Sequence, residues 1–447
     1  MALFGTNGVR GVANKEITPE LAMRLAQSLG TYMHEGPGKT VAIGRDTRNS
    51  GDMLKSACIA GALSAGLSVI DLGIAPTPCV QFYVREKADA GMVITASHNP
   101  REYNGIKLIA GDGTEFSRAG EAEVEEIYFS GKFHTAGWSE TGNLTGDSST
   151  GMYMRGILGA VDVEAVRSAN LKVVVDPGCG AGAVVTPFLL KELGCEVISL
   201  NAQLDGTLPG REPEPTADNL RDMIALVKAT GADLGIAHDG DADRVALVDE
   251  KGDFVNEDVL LAMMTKHVLA SRKGAIVTPV SSSLCVADVT KEYGAELIWT
   301  RVGSIDVARK MMETKAVFGG EGNGGLIFPE HQYCRDGAMA AAKILEMVAK
   351  GARLSELAAE VPHYYNVKVK VHCKDPRGAV EKIRQKLRGE KVDATDGLKV
   401  WYDDAWVLIR PSGTEPLVRV YAESKKEART WELVRWGEEL VKGALDT

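Results

Sequence analysis

LGIAHDGDADRVALVD, residues 234–249, is an apolar strand-forming run that breaks into a loop with three alternate aspartates and then resumes as a second apolar run. Three further stretches have the same build: GMVI into TASHNP (91–100), AVF into GGEGNGG (316–325) and WVLI into RPSGTEP (406–416). Other β-branched runs, VAIG (41–44), LKVVVD (171–176) and GAIVTPV (274–280), each lead through small residues into a helical pattern. The first such helix opens on Thr18-Pro19-Glu20, an N-cap followed by a first-turn proline and acid, and continues with Leu21, Leu25, Leu29, Tyr32 and Met33 at helical spacing. Strands alternating with helices specify an α/β fold with largely parallel strands. Ligands of such sheets bind beyond the carboxyl ends of the strands, so the four polar loops are the expected site and should converge on one cleft.

The chain has 447 residues, which at roughly 100 to 200 per domain points to three or four domains. GWSETGNLTGDSST (137–150) is poor in apolar residues and reads as a connector before a helix over 151–168. Pro362 precedes NVKVKVH (366–372), an alternating strand that opens a smaller α+β tail. The expected domains are 1–150, 151–257, 258–365 and 366–447, carrying one loop each. The first three are similar α/β units without a strict sequence repeat.

Composition excludes several classes. With 45% apolar and 25% charged residues the chain is neither disordered nor membrane-spanning. The opening MALFGTNGVRG lacks the parts of a secretory signal, so a cytoplasmic location is expected. Seven scattered cysteines, none spaced C-x-x-C, fit neither a disulfide framework nor a zinc cage and are expected to be buried thiols. A net charge of −10 argues against nucleic acid as partner and requires an anionic ligand to find local arginines.

The loops differ in chemistry. Ser97 sits in a turn-forming segment at a strand end, where a hydroxyl could carry a phosphoryl group covalently or merely cap a turn. Asp239, Asp241 and Asp243 offer hard oxygen ligands to Mg²⁺. An EF-hand is excluded because Arg244 stands where that loop needs glycine and a strand follows. Arg244 is then an adjacent phosphate contact. Gly320, Gly322 and Gly325 satisfy the dinucleotide fingerprint, but Glu321 would repel a pyrophosphate and a strand follows instead of a helix. Glu321 and Asn323 suit a polyol, by accepting from and donating to vicinal hydroxyls. Arg410, Ser412, Gly413, Thr414 and Arg419 make a phosphate cradle of guanidinium forks, hydroxyls and backbone N–H groups.

TASHNP, DGDADR, GEGNGG and RPSGTEP, in this order and with the opening FGTNGVRG, resemble the α-D-phosphohexomutase family over essentially the whole chain. The resemblance implies a heart-shaped, four-domain enzyme, three related α/β domains plus a smaller α+β C-terminal domain. It implies that Ser97 is the phosphoserine and that Asp239, Asp241 and Asp243, with one phosphoserine oxygen, hold one Mg²⁺ per subunit. Glu321 and Asn323 become the sugar loop, the 410–419 turn the distal phosphate site, and Arg301 and Gly303 part of another substrate loop. Phosphorylated Ser97 would give its phosphoryl group to a hexose monophosphate, and the bisphosphate would reorient and return the other phosphate. A hexose or hexosamine 1,6-bisphosphate would therefore act as activator. Lys107 and Arg10 are the family's candidates for the base, and His98 lies beside the serine. Lysine is the better base if Arg10 lowers its pKa, since arginine is effectively always protonated.

The opening resembles the branch acting on glucosamine phosphate, which makes glucosamine the first expected sugar and glucose or mannose the alternatives. Asn323 and Gly325 stand where the family often has serine and histidine, and Asn7 where it often has aspartate, so recognition at C2 stays open. A sugar phosphate is the expected partner, without nucleic acid or membrane, and a homodimer is compatible with the chain. Two rival classes remain, a serine-dependent metal phosphatase and a non-catalytic sugar-phosphate sensor.

Overall fold

The computed structural model describes residues 3–5, 7–34, 36, 38–387, 391–412 and 416–445. They form two compact units, one of residues 1–256 with 323–358 and the other of residues 257–322 with 359–447.

In the first unit, β1 (Val9–Val12), β2 (Thr40–Arg45), β3 (Ser68–Ile74), β4 (Ala90–Ile94), β5 (Tyr103–Ala110) and β6 (Leu144–Gly146) form a sheet of order β1-β5-β4-β2-β3-β6. β2 runs parallel to β3 and β4, whereas β5 returns antiparallel to β4. The expected first helix is Pro19–Met33, with Thr18 Oγ1 accepting from the Leu21 N–H. It buries Leu25, Leu29 and Met33 in a core shared with Leu54 and Cys58 of the helix Gly51–Ser64 and with Val41, Ile43 and Met92 of the sheet.

A second sheet repeats this design. β7 (Lys172–Asp176), β8 (Glu196–Ser199), β9 (Leu234–His238), β10 (Val245–Asp249) and β11 (Phe254–Val255) follow the order β11-β10-β9-β7-β8. β7 is parallel to β8 and β9, and β10 returns antiparallel to β9. The segments β4–β5 and β9–β10 thus occupy equivalent places, and each carries one of the polar loops.

The second unit contains β12 (Ile276–Pro279), β13 (Leu297–Thr300) and β14 (Phe318–Glu321), all parallel. β15 (Gly325–Ile327) belongs to the first unit. The tail is an antiparallel sheet of β16 (Tyr365–His372), β17 (Val392–Asp393), β18 (Leu398–Trp401), β19 (Ala405–Pro411) and β20 (Leu417–Ser424), ordered β16-β20-β19-β18-β17. The helices Pro376–Lys386 and Glu427–Leu445 bury Ile383, Leu433 and Val441 with Val407 and Val420 of that sheet.

Polar anchors join the tail sheet to the rest of the second unit. Glu423 accepts from the Leu284 N–H at 2.6 Å, from Trp406 Nε1 at 3.0 Å and from Asn366 Nδ2 at 3.1 Å. Lys399 is buried with its Nζ 4.0 to 4.6 Å from the ring centres of Trp401, Trp406 and Trp299, and it donates to the Val280 carbonyl at 2.6 Å. The indole faces favour the cation, but burial disfavours it more and pushes its pKa down to about 7.

Two local expectations are corrected. The helix expected over 151–168 is two helices, Thr150–Leu158 and Val163–Ala169. Gly159 closes the first, and the Asp162 carboxylate caps the second by accepting from the Ala165 N–H at 3.0 Å. The connector 137–150 contains β6, an exposed strand parallel to β3 whose edge position left no apolar pattern to read. All seven cysteines are buried free thiols. No helix among the described residues is long and apolar enough to cross a membrane.

Candidate active site

Ser97 lies in the loop from β4 to β5 with a left-handed backbone, φ 52°. The Thr95 hydroxyl accepts from its N–H at 2.8 Å, and its own fully buried hydroxyl donates to Asp239 Oδ2 at 2.6 Å. His98 Nδ1 is 3.4 Å from the same oxygen.

Beneath the loop sits Arg48, buried and fully engaged. Its Nε donates to Asp46 at 3.1 Å, one terminal nitrogen to the Pro100 and Tyr103 carbonyls at 2.6 and 2.9 Å, and the other to the Ser97 and Asn99 carbonyls at 2.8 and 2.6 Å. Five N–H donors in a planar fork meet five acceptors, which a lysine could not reproduce. Asp46 also accepts from Thr95 Oγ1 at 2.7 Å, so the base of the loop is closed on both sides.

The metal-type loop from β9 to β10 brings ligand oxygens of Asp239, Asp241 and Asp243 within 4.8 Å of one another, all three residues being buried. Asp241 Oδ1 and Asp243 Oδ1 are buried without a hydrogen-bond partner among the described residues. Two unsatisfied carboxylate oxygens in so tight a cluster of aspartates fit a hard divalent cation. Arg211 underpins this loop. Its Nε donates to Asp176 at 2.9 Å, one terminal nitrogen to the His238 carbonyl at 2.6 Å and the other to the Glu212 carbonyl at 3.0 Å. His238 is held between Thr186 Oγ1 and the Arg244 carbonyl, and burial pushes its pKa down to about 4, which makes it a neutral structural group. Gly240 lets the two loops touch, because a Cβ there would stand 2.7 Å from the Ser97 carbonyl oxygen.

The charges around Ser97 are tightly coupled. Burial, then Asp243 and Asp241, raise the Asp239 pKa to about 8. Asp243 is held the other way: burial would raise it, but Arg335, Lys107 and Arg244 together pull it well below the usual carboxylate range. Lys107 donates to Asp241 Oδ2 at 2.9 Å and to Asp243 Oδ2 at 3.2 Å. Its burial favours the neutral amine, yet Asp241, Asp243 and Glu115 outweigh both burial and Arg10 and shift its pKa upward. Arg10 pulls this pKa down and the carboxylates pull it up, and the carboxylates decide the direction. His98 is pushed down to about 2 by burial and by the Arg244 and Arg10 cations. Arg10 donates to Asn99 Oδ1 at 2.9 Å, and the Arg244 N–H to Asp239 Oδ1 at 3.2 Å.

Of the residues singled out from sequence, Ser97, His98, Lys107, Arg10, the three aspartates, Arg244 and Asn323 lie in the first unit, all but Asn323 bearing on the Ser97 cluster just described. Glu321, Arg301, Gly303, Arg410, Ser412 and Arg419 lie in the second unit, and Gly413 and Thr414 fall outside the described residues. Sequence reasoning missed Arg48, Asp46, Arg211, Asp176 and Arg335, whose Nη2 donates to Asp243 at 2.5 Å. The first two stand in GRDTR (44–48), an arginine and an aspartate at a strand end and the one signal available.

Fold and site together define an α/β enzyme of the isomerase type that transfers phosphoryl groups. The chain belongs to the phosphoglucomutase/phosphomannomutase family, matching its alpha/beta/alpha domain I at residues 1–135, domain II at 151–252, domain III at 256–365 and its C-terminal domain at 367–435. It is 47% identical to a phosphoglucomutase/phosphomannomutase of Thermococcus kodakarensis, with 99% of each chain covered. It is 42% identical to a phosphoglucosamine/phosphogalactosamine mutase of Sulfurisphaera tokodaii, again over 99% of each. A crystal structure of a family protein from Burkholderia thailandensis superposes with a TM-score of 0.89 at 29% identity, covering 99% of this chain and 97% of the other.

Proposed function

We propose that this chain interconverts the 6- and 1-phosphates of glucosamine through a phosphorylated Ser97. The observation that carries the reading is the buried Ser97 hydroxyl, donating at 2.6 Å into a three-aspartate cluster with two unsatisfied oxygens. Glucosamine is favoured by the opening FGTNGVRG and by the printed name of the Sulfurisphaera relative, and glucose or mannose phosphate is the second reading, favoured by the Thermococcus relative.

In the first half-reaction the bond from Ser97 Oγ to phosphorus breaks as a bond forms to the sugar hydroxyl, whose proton must leave. The second half runs in reverse from the other phosphate of the bisphosphate, so a hexose or hexosamine 1,6-bisphosphate recharges Ser97 and activates the enzyme. Mg²⁺ on Asp239, Asp241 and Asp243 would supply positive charge to the transferring oxygens and draw on the carboxylates that hold Lys107 as an ammonium. Arg244 and Arg10 add fixed cations beside the same oxygens. Lys107 and Arg10 are the two candidates for the base, and Lys107 takes the hydroxyl proton only in the neutral state it would reach once the aspartates are engaged by the ion. Glu321 and Asn323 are assigned to the sugar, Arg301 and Gly303 to another substrate loop, and Arg410, Ser412, Gly413, Thr414 and Arg419 to the phosphate that stays.

The test is a coupled assay with glucosamine, glucose and mannose 6-phosphates plus a trace of bisphosphate. Turnover is expected to be fastest with glucosamine, and Ser97→Ala to lower kcat on the order of 10⁴-fold or more, as loss of a covalent nucleophile does. An unaffected Ser97→Ala enzyme, or stoichiometric release of inorganic phosphate without 1-phosphate, would end this reading.

A further inference from the structure

Arg410 and Arg419 face each other in register on the adjacent antiparallel strands β19 and β20. Like charges placed directly opposite repel, and this pair is tolerated only where anionic groups surround it. One such group is Asp396, in the turn between β17 and β18. Its Oδ2 accepts from Arg410 Nε at 2.6 Å and from the Val302 backbone N–H at 3.0 Å. The second contact matters because Val302 lies between Arg301 and Gly303. That loop ends in an unusual backbone at Gly303, φ 140°, which caps the helix Ser304–Thr314. A single carboxylate oxygen thus holds an arginine assigned to the phosphate and a loop assigned to the substrate.

The turn is shaped for this contact. Gly397 has φ 86°, and a Cβ there would lie 2.5 Å from the Ile409 carbonyl oxygen and 2.9 Å from the Arg410 Cα. Only glycine lets the turn lie flat on β19, which places Asp396 alongside the guanidinium. Both groups are largely sheltered, with 14% of the Arg410 side chain and 10% of the Asp396 side chain exposed, so the pair is screened less than a surface ion pair. The carboxylate engages Nε, on the flank of the guanidinium, and so fixes the direction in which the terminal N–H edge points.

We infer that Asp396 is a positioning residue that orients Arg410 toward the substrate's non-transferring phosphate and couples it to the 301–303 loop. The inference rests on the assignment of Arg410 to that phosphate. The contacts of Asp396 are to Arg410 and to the Val302 N–H. Its contribution is to binding, equal in ground and transition states, so its loss appears in KM and leaves kcat in place.

The experiment measures kcat and KM for glucosamine 6-phosphate in Asp396→Ala, Asp396→Asn, Arg410→Ala and the Asp396→Ala/Arg410→Ala double variant. Loss of a charge-assisted hydrogen bond predicts a KM about tenfold higher in Asp396→Ala with kcat unchanged. Asp396→Asn, isosteric and still able to accept from Val302, keeps the fold testable should the alanine variant fail to fold, and it too is expected to raise KM. The double variant is expected to fall short of the sum of the two single effects, because the carboxylate acts in part through that arginine. If Arg410→Ala raises KM and both Asp396 variants leave it at the wild-type value, the coupling is wrong and the phosphate assignment stands. If Arg410→Ala itself leaves KM unchanged, the phosphate assignment falls and this inference with it. Additive effects in the double variant, or a loss confined to kcat, would also overturn it.

Discussion

The serine loop and the metal-type loop occupy the same place in two sheets that share a four-strand core, β5-β4-β2-β3 and β10-β9-β7-β8, and each rests on a buried arginine–aspartate pair, Arg48–Asp46 and Arg211–Asp176. They differ in what the arginine grips. Arg48 holds four carbonyls between Ser97 and Tyr103, the body of the serine loop itself. Arg211 reaches its loop only at the His238 carbonyl, one residue before the first aspartate, and spends its other bonds on Asp176 and the 212–213 chain. The equivalent loop of the third sheet has a lighter support, Thr278 Oγ1 donating to the Gly320 carbonyl at 2.9 Å with Ser282 Oγ 2.6 Å away. A loop whose hydroxyl must be aimed is gripped along its length. One whose carboxylates an ion would gather needs only its entry fixed.

The largest effects expected come from the two braces. Arg48→Met and Arg211→Met each strand a buried carboxylate and should destabilise by about 3 to 5 kcal/mol in urea unfolding. Their functional signatures should separate. Arg48→Met lowers the level of Ser97 phosphorylation reached with excess bisphosphate, read by intact-protein mass spectrometry, while Arg211→Met raises the Mg²⁺ concentration for half activation by about 10- to 100-fold. Identical profiles for the two variants would erase the distinction between gripping a loop and anchoring its entry.

A smaller effect separates the ion-pair braces from the aromatic box of the second unit. Lys399 is boxed by three indole rings and the Val280 carbonyl, and its folded pKa, near 7, lies below its unfolded value. The unfolded chain therefore binds the extra proton between about pH 7 and 10.5, so this residue adds stability as pH rises through that window and its full penalty is present below it. The slope is at most about 1.4 kcal/mol per pH unit, and Lys399→Met should remove it when unfolding free energies are compared at pH 7 and pH 9. The smallest change is expected at the third loop. Thr278→Val should cost about 1 kcal/mol by thermal or urea melts, and a loss as large as that of Arg48→Met would place the three supports on one footing.

Much of this arrangement is legible in the sequence. Apolar runs ending in polar loops gave the strands and the elements to which Ser97 and the three aspartates belong, because strand burial and turn chemistry are local. The braces were not legible, because Arg48 and Arg211 draw their meaning from partners brought close by the fold. Tyr103 and Ser97 are about fifty positions from Arg48, and Asp176 is 35 from Arg211. Charge balance was hidden for the same reason. Nothing beside Lys107 in the sequence shows that its ammonium sits between Asp241 and Asp243, more than 130 residues further on. The break at Gly159 escaped because an apolar periodicity carries across a cap that only the Asp162 side chain makes evident.

The left-handed backbone of Ser97 narrows the choice of residue that could ever stand there. Threonine offers the same hydroxyl, yet its β-branch is disfavoured at positive φ, so a swap that looks trivial on paper would push the oxygen off its line to Asp239 or unseat the turn. Two alcohols of equal reactivity are thus told apart by a torsion angle. Any redesign that begins by exchanging Ser97 must first rebuild the chain on either side of it.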